Sequence, residues 1–208
     1  MIPEANYAPW RLDRAFMEHY QEAKDHTLVD IYRCWSLWSL ALQAGKRGIG
    51  AVIEIGVWRG GTGLIIAKAT KLSCPEAEVF LCDTFSGVTM ASERDAWYQS
   101  VEHSYASVDI VRQLLRDNCI QNAKVMQGRV PDDFQEIFAD KIFRFAHIDV
   151  DVYDGGKQIF QFLFPRMKPG GIIVFDDYGF VSPNGITDAV EDLAQEVEDA
   201  VCVTNLNG

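Results

Sequence analysis

Residues 51–63 read A-V-I-E-I-G-V-W-R-G-G-T-G, and the architecture of the chain follows from this segment. Its first five residues, Ala51–Ile55, have the apolar character of a strand buried on both faces. Three glycines follow within six residues, which permits a tight turn and a close approach of the backbone to a ligand. A helix that begins at Thr62 would have free N–H groups in its first turn. Many mononucleotide sites share this pattern, so it predicts a ligand-binding turn without naming the ligand.

The same alternation of short apolar runs and helical stretches continues towards the C-terminus. The predicted strands are residues 51–55, 78–82, 123–127, 144–148, 171–175 and 200–204. The predicted helices are residues 62–72, 108–118, 132–139, 154–164 and 186–197. Continuous apolar strands separated by helices are typical of parallel strands covered on both faces. Residues 51–208 are therefore predicted to form a doubly wound, Rossmann-like α/β core with a mostly parallel sheet.

Residues 1–50 have a helical pattern instead of strands. Apolar residues recur at helical spacing over Trp10–Ala23 and over Leu28–Ala44. Thr27 is predicted to cap the second of these helices and Gly45 to end it. A length of 208 residues suits one domain. We therefore expect a single domain, 1–208, in which an N-terminal helical extension precedes the α/β core.

Composition excludes several classes of function and location. The net charge of −11 argues against a nucleic-acid partner and against docking to an anionic membrane, because both need clustered Lys and Arg. No apolar run reaches the length of a membrane-spanning helix, and the N-terminus does not resemble a signal peptide. The five cysteines form no C-x-x-C motif, which predicts free thiols and a reducing, cytoplasmic location.

One predicted connection, residues 84–106, is unusually long and has no clear periodicity. Structureless segments of this length in a compact domain are often lids or binding loops, although a mobile surface loop is the alternative. The loop contains four residues that are suited to covering a ligand: Trp97, Tyr98, His103 and Tyr105. We therefore expect a lid at residues 84–106.

Carboxylates follow three of the predicted strands. Asp83 comes after the second strand, where an acid typically accepts hydrogen bonds from ribose hydroxyls, a helix cap or turn role being the alternative. Asp149 follows the fourth strand, and Asp176 and Asp177 follow the fifth. If these two strands are neighbours, the three aspartates converge and repel one another unless a cation lies between them. Oxygen ligands favour Mg²⁺, with Mn²⁺ or Ca²⁺ as alternatives. Asp151 would share the face of Asp149 if the strand continued, but it is expected, together with Asp154, to cap the following helix.

The charge of the predicted pocket distinguishes between cofactors. Glu54, Asp83 and Asp149 make it acidic, which disfavours the pyrophosphate of a dinucleotide. The same acidity suits S-adenosylmethionine, whose sulfonium and ammonium groups are cationic. The order of the elements and the placement of the acids therefore favour a class I methyltransferase.

The sequence also resembles a known family. The similar motifs are T-L-V-D (27–30), R-x-x-x-L-W (33–38), G-V-W-R-G-G-T-G (56–63), D-T-F-S-G-V (83–88), I-D-V-D-V-Y (148–153) and V-F-D-D-Y-G (174–179). Together they resemble the macrocin O-methyltransferase family, which includes sugar O-methyltransferases of antibiotic biosynthesis. The resemblance extends from about residue 9 to residue 203. It implies a Rossmann-like methyltransferase with additional N-terminal helices.

The resemblance also implies a donor, an acceptor and a metal ion. The donor would be S-adenosylmethionine, the acceptor a sugar hydroxyl of a natural product, and the ion Mg²⁺. The implied metal ligands are Asp149, Asp176 and Asp177, and Asp149 is also the implied general base. The residues implied to contact the methionine half of the donor are Glu54, Gly56, Gly60, Gly61 and Thr62. Asp83 matches the ribose-binding acid, and Gly128 matches the region that lines the adenine.

Several alternatives stay open. Arg129-Val130 stand where the family usually has an aromatic residue near the adenine. His103 and His147 are alternative bases, although a satisfied core histidine is the simpler interpretation of His147. The competing functions are a metal-dependent phenol or catechol O-methyltransferase, a glycosyltransferase that uses Asp149-x-Asp151, and a non-catalytic assembly subunit that binds S-adenosylmethionine. The aromatic-rich N-terminal segment is compatible with a homo-oligomer.

Overall fold

A five-stranded sheet organises the chain. A computed structural model of the protein describes residues 7–48, 50–89, 91, 93–95, 105–180 and 185–204. In chain order the elements are α1 (Arg14–Ala23), α2 (Ile31–Lys46), β1 (Ala51–Ile55), α3 (Gly61–Ser73), β2 (Val79–Asp83), α4 (Val108–Asp117), β3 (Ala123–Gln127), β4 (Phe143–Ile148), α5 (Tyr153–Leu163), β5 (Met167–Phe175) and α6 (Gly185–Glu196). Short 3₁₀ helices lie at Pro9–Leu12, Lys24–His26 and Phe164–Arg166.

The strand order is β3-β2-β1-β4-β5, and every strand pair is parallel. The chain moves outward from β1 to β3 and then returns to the other side of β1 to form β4 and β5. The order therefore reverses between β1 and β4, and in open α/β sheets the ligand crevice lies beyond the carboxyl ends of the strands at such a point. The predicted Rossmann-like fold with N-terminal helices is confirmed.

Two apolar cores cover the two faces of the sheet. On one face, residues of α1 to α4, including Phe16, Trp38 and Ile65, pack against Val52 and Phe145. On the other face, α5, α6 and the segment around residues 130–138 pack against β1, β2 and β4. Because β1 lies between both cores, all five of its residues are buried. A strand that has no solvent-exposed face is mostly apolar in sequence. The bounds of β1 could therefore be predicted without error.

Three sequence predictions about elements are wrong. Residues 200–204 form no strand, and Val201 and Val203 are 89% and 84% exposed. Residues 132–139 form consecutive turns instead of a helix, although Phe134 and Phe138 are both buried as the helical spacing suggested. Thr27 does not cap α2, since its Oγ1 accepts a hydrogen bond from the N–H of Val29 in a local turn.

The true N-cap of α2 is Asp30. Its Oδ1 accepts hydrogen bonds from the N–H groups of Tyr32 at 2.8 Å and Arg33 at 3.1 Å. The helix ends at Lys46, one residue beyond the predicted stop at Gly45. Asp and Thr are both good caps, so the residue that begins the helix depends on which of them reaches the free N–H groups.

Two further expectations concern membrane-spanning helices and the state of the cysteines. Over the described ranges, no helix is both long enough and apolar enough to cross a lipid bilayer. All five cysteines are free, and Cys34, Cys74 and Cys82 are buried. Buried thiols of this kind behave as small apolar side chains.

Candidate active site

A cavity of about 330 Å³ lies beyond the carboxyl ends of the strands. Seven of the residues predicted for the site line it: Gly56, Thr62, Asp83, Gly128, Asp149, Asp176 and Asp177. Its wall also includes residues 26–29 and Arg33 from the N-terminal helical region. Thr84 and residues 87–89, from the start of the predicted lid, complete another side. The cavity therefore lies at the reversal of strand order and is bounded by the N-terminal helical region and by the start of the predicted lid.

Gly56 allows the carboxyl ends of β1 and β4 to meet. Its φ of +88° is in the left-handed region. A Cβ at this position would lie 1.7 Å from the main-chain oxygen of Asp149. Across the same junction, the N–H of Asp149 donates to the carbonyl of Ile55 at 2.8 Å. Only glycine fits both the conformation and the space, so Gly56 fixes the position of Asp149 at the cavity.

Asp83 holds the glycine turn in place. One of its oxygens, Oδ2, accepts hydrogen bonds from the N–H groups of Val57 at 2.7 Å and Trp58 at 2.8 Å. The other, Oδ1, accepts one from the N–H of Phe85 at 2.6 Å. These contacts correspond to the turn role that the sequence left open. Contact of Asp83 with a ribose stays a prediction.

Two glycines of the predicted donor site pack against protein instead of lining the cavity. A Cβ on Gly60 would lie 2.9 Å from Cγ1 of Val111 on α4. A Cβ on Gly61 would lie 2.7 Å from the carbonyl oxygen of Ala23, at the end of α1. Their small size therefore lets α4 and the α1–α2 connection approach α3. Thr62, in the first turn of α3, does line the cavity, where the positive end of the helix dipole favours a carboxylate.

Glu54 and His147 form a buried pair behind the cavity. They are register partners on β1 and β4, and both side chains are fully buried. Nδ1 of His147 lies 2.9 Å from Oε1 of Glu54. The second oxygen of Glu54 and Nε2 of His147 have no hydrogen-bond partner among the residues that the structure describes.

Neither member of this pair lines the cavity, although both were candidates for the site. Glu54 was implied to contact the methionine half of the donor, and His147 was an alternative base. His147 is a core histidine, but only one of its ring nitrogens is satisfied. His103, the other alternative base, lies outside the described residues.

The aspartates after β4 and β5 converge at the cavity. These strands are neighbours, and the N–H of Asp176 donates to the carbonyl of Ile148 at 2.9 Å. Asp149, Asp151 and Asp177 each place a carboxylate oxygen within 4.8 Å of the others. Asp176 forms a second such group with Asp149 and His147. Asp151 therefore joins the cluster and, with its φ of +64°, does not cap α5.

Burial and mutual repulsion act on these carboxylates. Burial raises the pKa of Asp149 well above its usual value, and the charges of Asp176, Asp151, Asp177 and Glu54 raise it further. Burial also raises the pKa of Asp176, although His147 and Arg33 oppose the increase. Clustered carboxylate oxygens are the donor set of a hard divalent cation. The residues present therefore fit Mg²⁺, Mn²⁺ or Ca²⁺, with Asp149, Asp151 and Asp177 as a ligand group.

Arg33 is the main site residue that sequence reasoning missed. It lies on α2, is 9% exposed and lines the cavity. Its Nη1 donates to Oδ2 of Asp176 at 2.7 Å and to Oδ1 of Asp177 at 2.8 Å. Burial lowers the pKa of Arg33, but the surrounding carboxylates outweigh burial and raise the pKa above its ordinary value. The sequence did contain a signal for this ion pair, because an arginine on an otherwise apolar helix face must be paired with an acid.

Asp95 is a second residue that the sequence did not single out. It lies within the predicted lid but is only 1% exposed. Its Oδ1 accepts hydrogen bonds from the N–H of Tyr153 at 2.9 Å and the N–H of Gly185 at 3.1 Å. Asp95 therefore satisfies the first N–H group of α5, a capping role that the sequence predicted for Asp151 and Asp154. Of the four lid residues expected to cover a ligand, Tyr105 is 85% exposed, and Trp97, Tyr98 and His103 lie outside the described residues.

Comparison with solved structures agrees with this fold. Calicheamicin methyltransferase CalS11 matches with a TM-score of 0.66 at 15% identity, over 91% of this chain and 86% of that one. The O-methyltransferase NovP matches with a TM-score of 0.64 at 21% identity, over 82% of this chain and 74% of that one.

Comparison of sequences identifies the family. Mycinamicin III 3''-O-methyltransferase from Micromonospora griseorubida is 22% identical over 185 residues, which cover 80% of this chain and 72% of that protein. The model of the macrocin-O-methyltransferase (TylF) family matches residues 21–202. The chain therefore belongs to the macrocin-O-methyltransferase family and is an S-adenosylmethionine-dependent O-methyltransferase.

Proposed function

We propose that the protein methylates a sugar hydroxyl of a natural product. We further propose that a divalent cation, preferably Mg²⁺, assists the transfer of the methyl group. The observation that carries this proposal is the convergence of the Gly56 turn and the aspartate cluster at one cavity. The names of the mycinamicin and calicheamicin relatives support an acceptor from antibiotic biosynthesis. The free cysteines support the cytoplasm as the location.

The acidity of the cavity suits a cationic donor. Asp83, Asp149 and Asp151 all line it, so the sulfonium and ammonium groups of S-adenosylmethionine meet negative charge. Thr62 places the N-terminus of α3 at the same cavity, where the carboxylate of the methionine half would be favoured. Gly128 and Arg129 line the opposite side, beyond β3, and are proposed to contact the adenine.

In the reaction, the bond between the methyl carbon and sulfur breaks as a bond from the acceptor oxygen to that carbon forms. The acceptor hydroxyl must also lose its proton, and we assign this proton to a carboxylate oxygen of Asp149. General bases of this kind typically contribute about 10²- to 10⁴-fold. Because a carboxylate that also binds a divalent cation is a weaker base, ionisation of the hydroxyl by the cation is proposed to supply part of the effect. A divalent cation held by Asp149, Asp151 and Asp177 would lower the pKa of the hydroxyl and fix its position.

Two segments bound the space for the acceptor. Residues 26–29 and residues 87–89 line the same cavity as the aspartate cluster. Leu28 is 66% exposed, whereas Val29 is buried. Because these segments come from the N-terminal extension and the lid, and not from the sheet, they are proposed to determine which acceptor is bound.

A calorimetric titration of S-adenosylhomocysteine, with Mg²⁺ and separately with EDTA, tests the donor site. We expect binding in both conditions, because the donor contacts proposed above include none that requires the cation. A separate titration of MgCl₂ should give binding that Asp177→Asn weakens. Absence of S-adenosylhomocysteine binding would contradict the assignment of the cavity.

An acceptor panel tests the second part of the proposal. It contains deoxysugar glycosides with free hydroxyls and, as the competing class, catechol and caffeoyl compounds. Methylation of a glycoside supports the proposal. Methylation of the phenols alone would replace the sugar with a phenol as the acceptor.

A further inference from the structure

Arg33 joins the N-terminal helices to the aspartate pair after β5. It is separated from Asp176 by 143 positions in the chain, yet one nitrogen, Nη1, donates to both Asp176 and Asp177. We propose that Arg33 is a positioning residue that, by contacting both carboxylates, holds Asp177 in the orientation that binds the divalent cation with Asp149 and Asp151. This inference rests on the metal-assisted function proposed above and extends it to a residue outside the aspartate cluster.

Arg33 contacts one oxygen of each acid. Its Nη1 donates to Oδ2 of Asp176 and to Oδ1 of Asp177. Asp177 also belongs to the group whose oxygens lie within 4.8 Å of Asp149 and Asp151. By binding one oxygen of each acid, Arg33 limits rotation of both carboxylates and lowers the repulsion between them.

Arg33 is itself held from two sides. Its Nε donates to Oδ2 of Asp30 at 2.9 Å, and the ring of Phe180 lies 4.9 Å from its guanidinium carbon. Asp30 is in turn fixed as the N-cap of α2. The guanidinium therefore has a defined place and direction, which a flexible surface arginine lacks. A lysine would keep the positive charge but could not donate to Asp30 and to the aspartate pair along two fixed directions.

The direction of the effect on metal affinity separates positioning from simple charge. Removing a positive charge beside a cation site should tighten cation binding if Arg33 acts only through its charge. Removing a group that orients the ligands should weaken binding, and outer contacts of this kind are typically worth about 10- to 100-fold in affinity. Arg33→Lys keeps the charge and removes the geometry, whereas Arg33→Gln removes both.

The experiment is a titration with Mn²⁺ followed by electron paramagnetic resonance of the free ion. The proteins are the wild type, Arg33→Lys, Arg33→Gln and Asp30→Asn. Asn is as good an N-cap as Asp, so Asp30→Asn keeps the cap of α2 and weakens only the contact with Nε of Arg33. Arg47→Lys is the matched control, because Arg47 is exposed at the other end of the same helix.

We expect Arg33→Lys and Arg33→Gln to weaken Mn²⁺ binding about tenfold or more, and Asp30→Asn to weaken it by a smaller factor. The far-ultraviolet circular dichroism of each variant should match that of the wild type, which shows that the variant is folded. If Arg33→Gln does not fold, the two conservative variants decide. Equal or tighter Mn²⁺ binding by Arg33→Lys would overturn the inference. If the wild type binds no Mn²⁺, the proposed metal assistance fails, and the positioning role fails with it.

Discussion

At the scale of single residues, Asp149 carries an electrostatic cost in the site, because its carboxylate is surrounded by other acids. It is partly buried, and its nearest charged neighbours include Asp176, Asp151 and Asp177. Because burial and these charges raise its pKa, the folded protein binds the proton of Asp149 more tightly than the unfolded chain does. Its contribution to stability is therefore fully present below the unfolded pKa of about 4 and is lost as the pH rises through the raised value.

Asp149→Asn should increase the stability of the protein, whereas the usual effect of a substitution is to decrease it. The variant has no carboxyl group to ionise, so in metal-free buffer it should be more stable than the wild type near pH 7. The difference should shrink as the pH falls towards 4. Methyl transfer should decrease by about 10²-fold or more, since the proposed base is lost. Urea unfolding of both proteins between pH 4.5 and 8 measures the effect, with Asp140→Asn at an exposed position as the control. Parallel pH profiles for Asp149→Asn and the wild type would contradict the assigned cost.

The residues that line the site could be predicted where they directly follow a strand. The carboxyl ends of parallel strands meet at one edge of a sheet, so Asp149, Asp176 and Asp177 had to converge once β4 and β5 were neighbours. Glu54 was expected at the cavity but does not line it. It lies inside β1, and a strand covered on both faces buries every side chain. The role of Arg33 required knowledge of which helix covers β5, and this cannot be deduced from spacing within α2.

At the scale of elements, Asp95 connects the lid to two helices. Its Oδ1 accepts from the first N–H groups of α5 and α6, at Tyr153 and Gly185. Gly185 has to be small here, since a Cβ would lie 2.2 Å from the same oxygen. Both helices begin beside the carboxyl ends of β4 and β5. Asp95 therefore fixes the first turns of α5 and α6 next to the aspartate cluster.

Asp95→Ala should loosen both helix starts at once. Loss of a capping acceptor typically costs about 0.5–2 kcal/mol, and here one oxygen serves two helices. We expect a decrease of roughly 1–3 kcal/mol in the free energy of unfolding. Hydrogen exchange should become faster at the amides of Tyr153 and Gly185 and stay unchanged within α3. Asp95→Asn retains an acceptor oxygen and should have a smaller effect. Faster exchange in only one of the two helices would show that Asp95 does not serve both.

A periodic pattern of apolar residues was not sufficient to predict every element. The segment 132–139 has apolar residues at helical spacing, but Pro131 precedes it and successive turns bury Phe134 and Phe138 equally well. Residues 200–204 alternate like a strand, yet Val201 and Val203 form no ladder with any strand among the residues that the structure describes. A strand needs an edge to pair with, and the sequence of the strand does not show whether that edge is available.

At the scale of the whole molecule, the N-terminal helices are part of the core and not an attachment. Phe16 and Trp38 are fully or almost fully buried in the same cluster as residues 64–66 of α3. Nζ of Lys68 on α3 binds Glu22 on α1 at 2.5 Å. The N-terminal aromatic residues that suggested a second subunit are thus largely used within the chain. A homo-oligomer stays a prediction that this packing does not require.

This shared core predicts a single unfolding transition. Three of the five tryptophans lie in the N-terminal region, at Trp10 and in α2, so fluorescence mainly follows this region, whereas circular dichroism at 222 nm follows all helices. If the two parts unfold together, both signals should give the same urea midpoint. S-adenosylhomocysteine at 100 times its Kd should raise the unfolding free energy by about 2.7 kcal/mol in both signals. The N-terminal region should share this increase because its residues 26–29 and Arg33 form one wall of the cavity. A fluorescence transition at lower urea, unmoved by the ligand, would show instead that the N-terminal helices unfold independently of the site.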